Sequence, residues 1–244
     1  MTDIFEDLTA EYEQLDAVLA ALTTDQWAHP SAAEGWTIAD VVLHLAQTEE
    51  LAAATSTGDE SAFGDYPGQV DALADHRVAA ERGVDPADLL ARWRAAAFAT
   101  PGHLRAHPKG TRLRWITNRI SPAALATTRL AEHWAHAYDV TAPLDIPYPD
   151  TARLRHIAWL GHRTLPYAFA VENLPPGPVY CELTAPDSDD IWRFGDPAVP
   201  STITGPAADF CRVGARRLAP ADSTLKATGP HGPQALKVLR NYAS

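Results

Sequence analysis

The sequence predicts a chain of two parts, an all-helical unit over residues 1–174 and a smaller α+β unit over residues 175–244. Three observations predict it. Through the first two-thirds, apolar residues recur at three- and four-residue steps, the period of an amphipathic helix. The run Asn173-Leu174-Pro175-Pro176-Gly177-Pro178 then stops any helix. Behind it, Val179-Tyr180-Cys181-Glu182-Leu183-Thr184 alternates apolar and polar as a half-buried strand does. A length of 244 residues, 46% of them hydrophobic, is enough for a proper core and argues against disorder.

Each element follows from local signals. Ile4, Phe5, Leu8, Tyr12, Leu15, Val18, Leu19 and Leu22 mark the first helix, with Thr2 or Asp3 as its cap. Trp27 to Glu34 reads as a loop. Thr37 and Asp40 form a capping-box-like pair, with Asp in place of the usual Glu, ahead of Ile38, Val41, Val42 and Leu45. Thr55 to Gly68 is small and polar, so a loop is expected, with a helix over Val70 to Arg82 after it. Another helix starts at Asp85-Pro86, where proline fits the first turn. Residues 101–120, with Pro101, Gly102, Pro108 and Gly110, read as one long basic connection. Ser121-Pro122 opens a strong helix running to about Val140, which Pro143, Pro147 and Pro149 end. One more helix is expected near Thr151 to Val171. In the second unit, Asp187 to Asp190 is a turn before Ile191-Trp192-Arg193-Phe194, and Ser201 to Thr204 is a third strand. A helix over Pro206 to Arg217, a strand near Thr224 to Ala227 and a closing helix near Gln234 to Tyr242 complete the set. There is no internal repeat.

Charge and cysteine usage exclude several function classes. The net charge is −11, from 31 acidic and 20 basic residues, which disfavours a phosphate backbone as partner. No apolar run approaches the roughly 20 residues of a membrane helix. The start is acidic and lacks the basic and small-residue features of a secretory leader. Cys181 and Cys211 are the only cysteines, so a disulfide scaffold or cysteine-based zinc module is excluded and a reduced cytoplasm fits. From Leu89 to Ala131 there is no acid at all, but there are Arg92, Arg94, Arg105, Lys109, Arg112, Arg114, Arg119 and Arg129. These either pair with acidic faces elsewhere or converge on an anionic small molecule.

The chemistry-bearing residues lie on the Ser121 helix. Glu132 and His136 are four apart, so they share a face about 6 Å apart along the axis and can reach one divalent ion. His133 is turned about 60° from His136 and can only flank such a site. Asp139, three residues beyond His136, can orient it as metal-bound histidines are usually oriented. A third ligand must come from another element, and His44 on the inward stripe of the Thr37 helix is the candidate. His29, His103, His107 and His231 fall in expected loops; His76, His156 and His162 lack a partner at ligand spacing. A Glu-x-x-x-His pair is usually a surface pair, and a lone inward histidine is usually a hydrogen-bonded core residue. Spacing leaves the metal and structural readings both open.

Gly35-Trp36-Thr37-Ile38-Ala39-Asp40-Val41-Val42-Leu43-His44-Leu45, together with Glu132-His133-Trp134-Ala135-His136-Ala137-Tyr138-Asp139-Val140, resembles the mycothiol-dependent maleylpyruvate isomerase family of the DinB-like metal-binding superfamily. The resemblance continues through Leu160-Gly161-His162-Arg163-Thr164, Leu183-Thr184-Ala185-Pro186-Asp187 and Thr204-Gly205-Pro206-Ala207-Ala208-Asp209-Phe210-Cys211, and is nearest to a subgroup of uncharacterised metal-binding proteins. It implies a DinB-like four-helix bundle binding a divalent metal, followed by a sterol-carrier-like α+β domain. The family's two histidines and glutamate fall on His44, Glu132 and His136. An arginine from the second domain closes over the site in relatives, and Arg216 is the nearest match, with Arg217 beside it.

The resemblance further implies a metal-dependent enzyme that uses a low-molecular-weight thiol such as mycothiol. Three protein ligands leave an open position, and a metal deprotonates a thiol near neutral pH. Addition to a small anionic or unsaturated substrate then gives isomerisation or S-transfer, with Arg112, Arg114, Arg119 or Arg216 holding a carboxylate. A metal-dependent hydrolase or tailoring enzyme without thiol, and a non-catalytic metal-stabilised binder of small molecules, are the alternatives. Zinc suits the donor set best; nickel, iron and manganese also fit. The expected partner is a small-molecule substrate, with no nucleic acid and no membrane, and the chain is expected to be a monomer or homodimer.

Overall fold

The computed structural model describes residues 3–63, 70–116 and 118–241. The chain divides into two compact units, Thr2–Tyr148 and Pro149–Ala243.

In the first unit, helices α1 (Ile4–Leu19), α3 (Ile38–Ser56), α5 (Pro86–Arg105) and α6 (Pro122–Thr141) pack on one another. Asp3 caps α1 by accepting from the Phe5 and Glu6 amides, and Leu8, Tyr12, Leu15 and Leu19 form its buried stripe. The single turn α2 (Thr24–Trp27), which apolar periodicity is too short to reveal, is held by a Thr23–Gln26 capping box. α3 begins on the expected box: the Asp40 carboxylate accepts from the Thr37 amide and hydroxyl, both at 2.9 Å. It is buried on almost every side, which makes it the central helix of the unit. α4 (Val70–Glu81) packs against it. The expected loop before α4 holds a 3-10 turn at Ser61–Phe63, and the rest of that loop lies outside the described residues.

The connection expected over 101–120 is corrected. α5 runs through Pro101 to Arg105, because proline here costs one hydrogen bond near the end of the helix while Leu104, 1% exposed, anchors the last turn. A short hairpin follows, β1 (Leu113–Trp115) against β2 (Asn118–Ile120), antiparallel with Arg114 opposite Arg119. The Thr55 hydroxyl ties this hairpin to α3 through the Arg114 carbonyl, at 2.9 Å. Much of the acid-free stretch is paired with acids from other elements. Arg92 meets Glu50 and Glu81, Arg94 meets Asp16, Arg105 meets Asp3 and Glu6, Arg119 meets Glu60, and Arg129 meets Glu49.

The second unit opens with α7 (Leu154–Arg163) and α8 (Leu165–Val171) where one helix is expected. Pro166 has no N–H to continue the ladder, so the chain breaks at Thr164, whose hydroxyl donates to the Leu160 carbonyl at 2.9 Å and the Arg240 carbonyl at 2.8 Å. Strands β3 (Tyr180–Thr184), β4 (Ile191–Phe194), β5 (Thr202–Pro206) and β6 (Lys226–Thr228) form a sheet ordered β4-β3-β5-β6, with β3 and β5 parallel and the other pairs antiparallel. Cys181, Leu183, Trp192, Phe194 and Ile203 supply its buried face. α9 (Ala207–Gly214) packs on the sheet and on α7. α10 (Gly232–Val238) ends before the expected Tyr242, which lies outside the described residues.

The boundary expected near residue 174 therefore moves to Tyr148. α7 packs against α9, and Asn241 occupies a slot between them: a Cβ on Gly161 or Gly214 would come within 2.7 or 2.3 Å of its Oδ1. Among the described residues no helix is long and apolar enough to cross a membrane.

Candidate metal centre

His44 stands on α3, and Glu132 and His136 stand one turn apart on α6. Packing of α3 on α6 brings the three together across 88 residues of sequence. His44 Nε2 lies 2.9 Å from Glu132 Oε1, and His136 Nε2 lies 3.5 Å from the same oxygen. One nitrogen or oxygen from each falls within 4.8 Å of the others, and among the described residues this group has the spacing to hold a metal ion. The imidazole centroids are 5.0 Å apart. His44 is buried and the Glu132 side chain is 26% exposed, so the group sits in the protein with Glu132 as its more exposed edge.

Asp139 takes the orienting place expected for it. Its fully buried carboxylate meets His136 Nδ1 at 2.9 Å, which leaves Nε2 to face Glu132. Trp36, just before α3, has its ring centroid 5.2 Å from that of His44 and 6.3 Å from that of His136, stacked on the latter. Its indole N–H donates to Asp75 on α4 at 3.0 Å. Sequence reasoning did not single out Trp36; its place immediately before the cap of the His44 helix was the available signal.

The three groups perturb one another. Burial lowers the His44 imidazole, and its hydrogen bond to Glu132 only partly offsets this. Burial also works against a charged His136, but the Asp139 and Glu132 carboxylates outweigh it and raise this imidazole to about 9. For Glu132, burial works to raise the carboxyl, yet hydrogen bonds from both imidazoles hold it well below the usual carboxylate range. Two imidazoles and a carboxylate on a partly open carboxylate edge fit a borderline divalent cation such as zinc, with the remaining coordination left to a ligand.

His133 has a different fate. It is wholly buried; its Nε2 accepts from the Trp93 indole at 3.0 Å and its Nδ1 donates to the Arg129 carbonyl at 3.0 Å. Burial pushes it down to about 4, so it is neutral. Beside it Arg129 Nε donates to Glu49 Oε1 at 2.6 Å. Neither Glu49 nor the deeper role of Arg129 was foreseen, although a charged residue on the inward face of each helix is itself a signal.

The other histidines are placed elsewhere. His103 lies in the last turn of α5 rather than in a loop, His107 Nε2 meets the Ser56 carbonyl at 2.8 Å, and His162 Nε2 meets the Val179 carbonyl at 2.9 Å. Arg216 belongs to the second unit. It follows α9 in a left-handed conformation with φ of 58° and lines a cleft of about 380 Å³ with Glu172, Leu218, Lys237 and Arg240.

The mycothiol maleylpyruvate isomerase N-terminal domain matches residues 8–141 of the chain. Two uncharacterized proteins of Mycobacterium tuberculosis, MT0041 of strain CDC 1551 and Rv0036c of strain H37Rv, are each 39% identical over 247 residues, covering 97% of this chain and 94% of their own. A crystal structure of the mycothiol-dependent maleylpyruvate isomerase is similar with a TM-score of 0.60 at 19% identity, over 95% of this chain and 97% of that one. A histidine-to-alanine mutant of that isomerase matches with a TM-score of 0.59 at 18% identity, over the same shares of each chain. At such identities the likeness to solved structures is one of fold.

Proposed function

The chain belongs to the mycothiol-dependent maleylpyruvate isomerase family, and from that premise we propose that it is a divalent-metal-dependent enzyme that uses an external low-molecular-weight thiol on a small anionic, unsaturated substrate. The observation that carries the reading is the convergence of His44, Glu132 and His136 within 4.8 Å, contributed by two helices. In this reading the first unit is a DinB-like bundle and the second a sterol-carrier-like domain, and the protein works in the cytoplasm as a monomer or homodimer. A bound zinc, or a comparable divalent cation, would supply Lewis acidity that keeps a thiol deprotonated at neutral pH.

The protein's own residues supply the rest. His44, Glu132 and His136 would hold the ion, and Asp139 keeps His136 with Nε2 turned toward Glu132. Trp36 offers a flat apolar wall beside both imidazoles, against which a conjugated substrate can stack. The nucleophile is not a protein thiol: Cys181 and Cys211 are buried, and burial pushes the first up to about 12 and the second well above its ordinary value. Sulfur from an external thiol adds to one carbon of the activated double bond, and the π pair moves into the conjugated carbonyl. Rotation about the new single bond and loss of the same thiol then isomerise the substrate with nothing consumed. Retention of the sulfur, with protonation of the adjacent carbon, gives S-transfer instead. Arg216, the match to the arginine that the family resemblance places in this role, is the residue we assign to the substrate carboxylate.

Elemental analysis of protein purified without chelator or metal-affinity tag tests the reading. About one divalent ion per chain is expected, and in the cobalt-substituted protein a thiol should shift the visible spectrum. A chain that stays empty when zinc is offered overturns it.

A further inference from the structure

A site divided between two helices is only as well defined as the spacing and register of those helices. Next to the proposed ion site, α3 and α6 are joined by a second polar contact. Arg129 precedes Glu132 on α6 by three residues, one turn away. Its Nε donates to Glu49 Oε1 at 2.6 Å and its Nη2 to Thr48 Oγ1 at 2.7 Å. Thr48 and Glu49 follow His44 on α3 by four and five residues, and the Thr48 hydroxyl donates in turn to the His44 carbonyl at 2.9 Å. The Arg129 and Glu49 side chains are 2% and 0% exposed. The ring of Trp115 lies 5.4 Å from the guanidinium carbon, and His133 holds the Arg129 carbonyl while accepting from Trp93 of α5.

We infer that the Arg129 clamp on Thr48 and Glu49 is a positioning device for the ion site, setting α3 against α6 so that His44 meets Glu132 and His136. The inference rests on reading those three residues as metal ligands. Two facts favour positioning over simple stabilisation. A buried ion pair is a poor means of stabilising a core, since well-packed apolar residues usually do as well. A rigid fork that engages two successive α3 residues, by contrast, specifies register and separation together, which sliding aliphatic contacts do not. The clamp sits within a turn of a ligand on both helices, where a shift of the helix pair translates directly into ligand spacing.

The test is the double variant Arg129→Met with Glu49→Leu, which removes both charges and keeps the volume apolar. Cobalt(II) affinity and the visible band of the cobalt-loaded full chain are measured beside far-UV circular dichroism. A folded double variant is expected to bind cobalt about 10- to 100-fold more weakly than the unaltered protein, the range typical of residues that orient metal ligands, with a shifted band. A folded double variant with unchanged affinity and band overturns the positioning role and leaves the metal reading standing. Should the double variant not fold, Arg129→Lys replaces it, since lysine keeps the charge but lacks the planar fork whose two nitrogens engage Glu49 and Thr48 separately. Weaker binding with a shifted band in that variant supports the clamp, and unchanged values overturn it. Failure of the unaltered protein to bind cobalt overturns the metal reading and this inference with it.

Discussion

Two polar clusters lie side by side on the same pair of helices, and each contains a glutamate and a histidine. One is His44, Glu132 and His136; the other is Glu49, Arg129 and His133. Glu132 and His133 are even neighbours in sequence, pointed apart by the 100° step of the helix. The difference lies in which groups the histidine nitrogens engage. Both nitrogens of His133 are used by protein groups, Trp93 and the Arg129 carbonyl, so it has no lone pair to offer an ion. His136 gives Nδ1 to Asp139 and turns Nε2 to Glu132, 3.5 Å away, a carboxylate that is itself a ligand candidate and whose side chain is partly exposed. A histidine becomes a ligand candidate when the group its free-facing nitrogen meets is another potential ligand rather than a group committed to the fold. The buried cluster shows the opposite outcome, in which both His133 nitrogens are taken up by the fold and similar chemistry becomes structure.

The comparison can be broken from either side. The largest effect on stability is expected from Arg129→Ala, which leaves the Glu49 carboxylate buried without its partner. A loss of about 3–5 kcal/mol should appear as a lower urea midpoint. His44→Ala should behave in the reverse way, with little change in the midpoint but zinc affinity lowered by more than about 100-fold, because outer partners alone are worth about 10- to 100-fold. Competition titration against a chelating dye measures it. Asp139→Asn probes that outer contribution directly, and its affinity loss should fall inside the same 10- to 100-fold range. Smaller again, His133→Phe leaves the Trp93 indole N–H without its acceptor at a cost of about 1–3 kcal/mol, with metal stoichiometry unchanged. Loss of bound metal in that variant would erase the distinction between the two clusters.

The last prediction concerns the thiols. Cys181 and Cys211 should resist iodoacetamide at pH 8 in the native protein and both react in urea, as mass spectrometry would show. Their raised values carry a sign for stability. Burial of the neutral thiol favours folding fully below the ordinary value of 9, and that contribution is lost as pH rises from there toward about 12.

Most of the helical unit was legible in the sequence. The Asp3, Thr37–Asp40, Asp85 and Ser121 caps are contacts within four residues, and they start their helices where local chemistry says they should. The failures are as informative. Pro101 and Gly102 read as a stop, but proline near a helix end sacrifices little and buried Leu104 keeps the turn in place. The proline run at 175–178 read as a unit boundary, although α7 and α8 before it pack with the second unit. A change of local texture need not coincide with a change of packing partner.

For the candidate site, the sequence by itself determined the Glu132–His136 pair and the placing of Asp139, because helical geometry makes residues three and four apart neighbours. It also put His44 on an inward stripe. Which helix that stripe would meet, and at what register, depends on contacts 80 to 88 residues apart. Only the tertiary structure decided that His133 would be consumed by Trp93, that Arg129 would find Glu49, and that Trp36 would stack beside both imidazoles. Caps and helical spacing arise from the backbone's own hydrogen bonds over a few residues. Long-range pairings exist only when whole helices pack, and packing answers to the shape of every face at once.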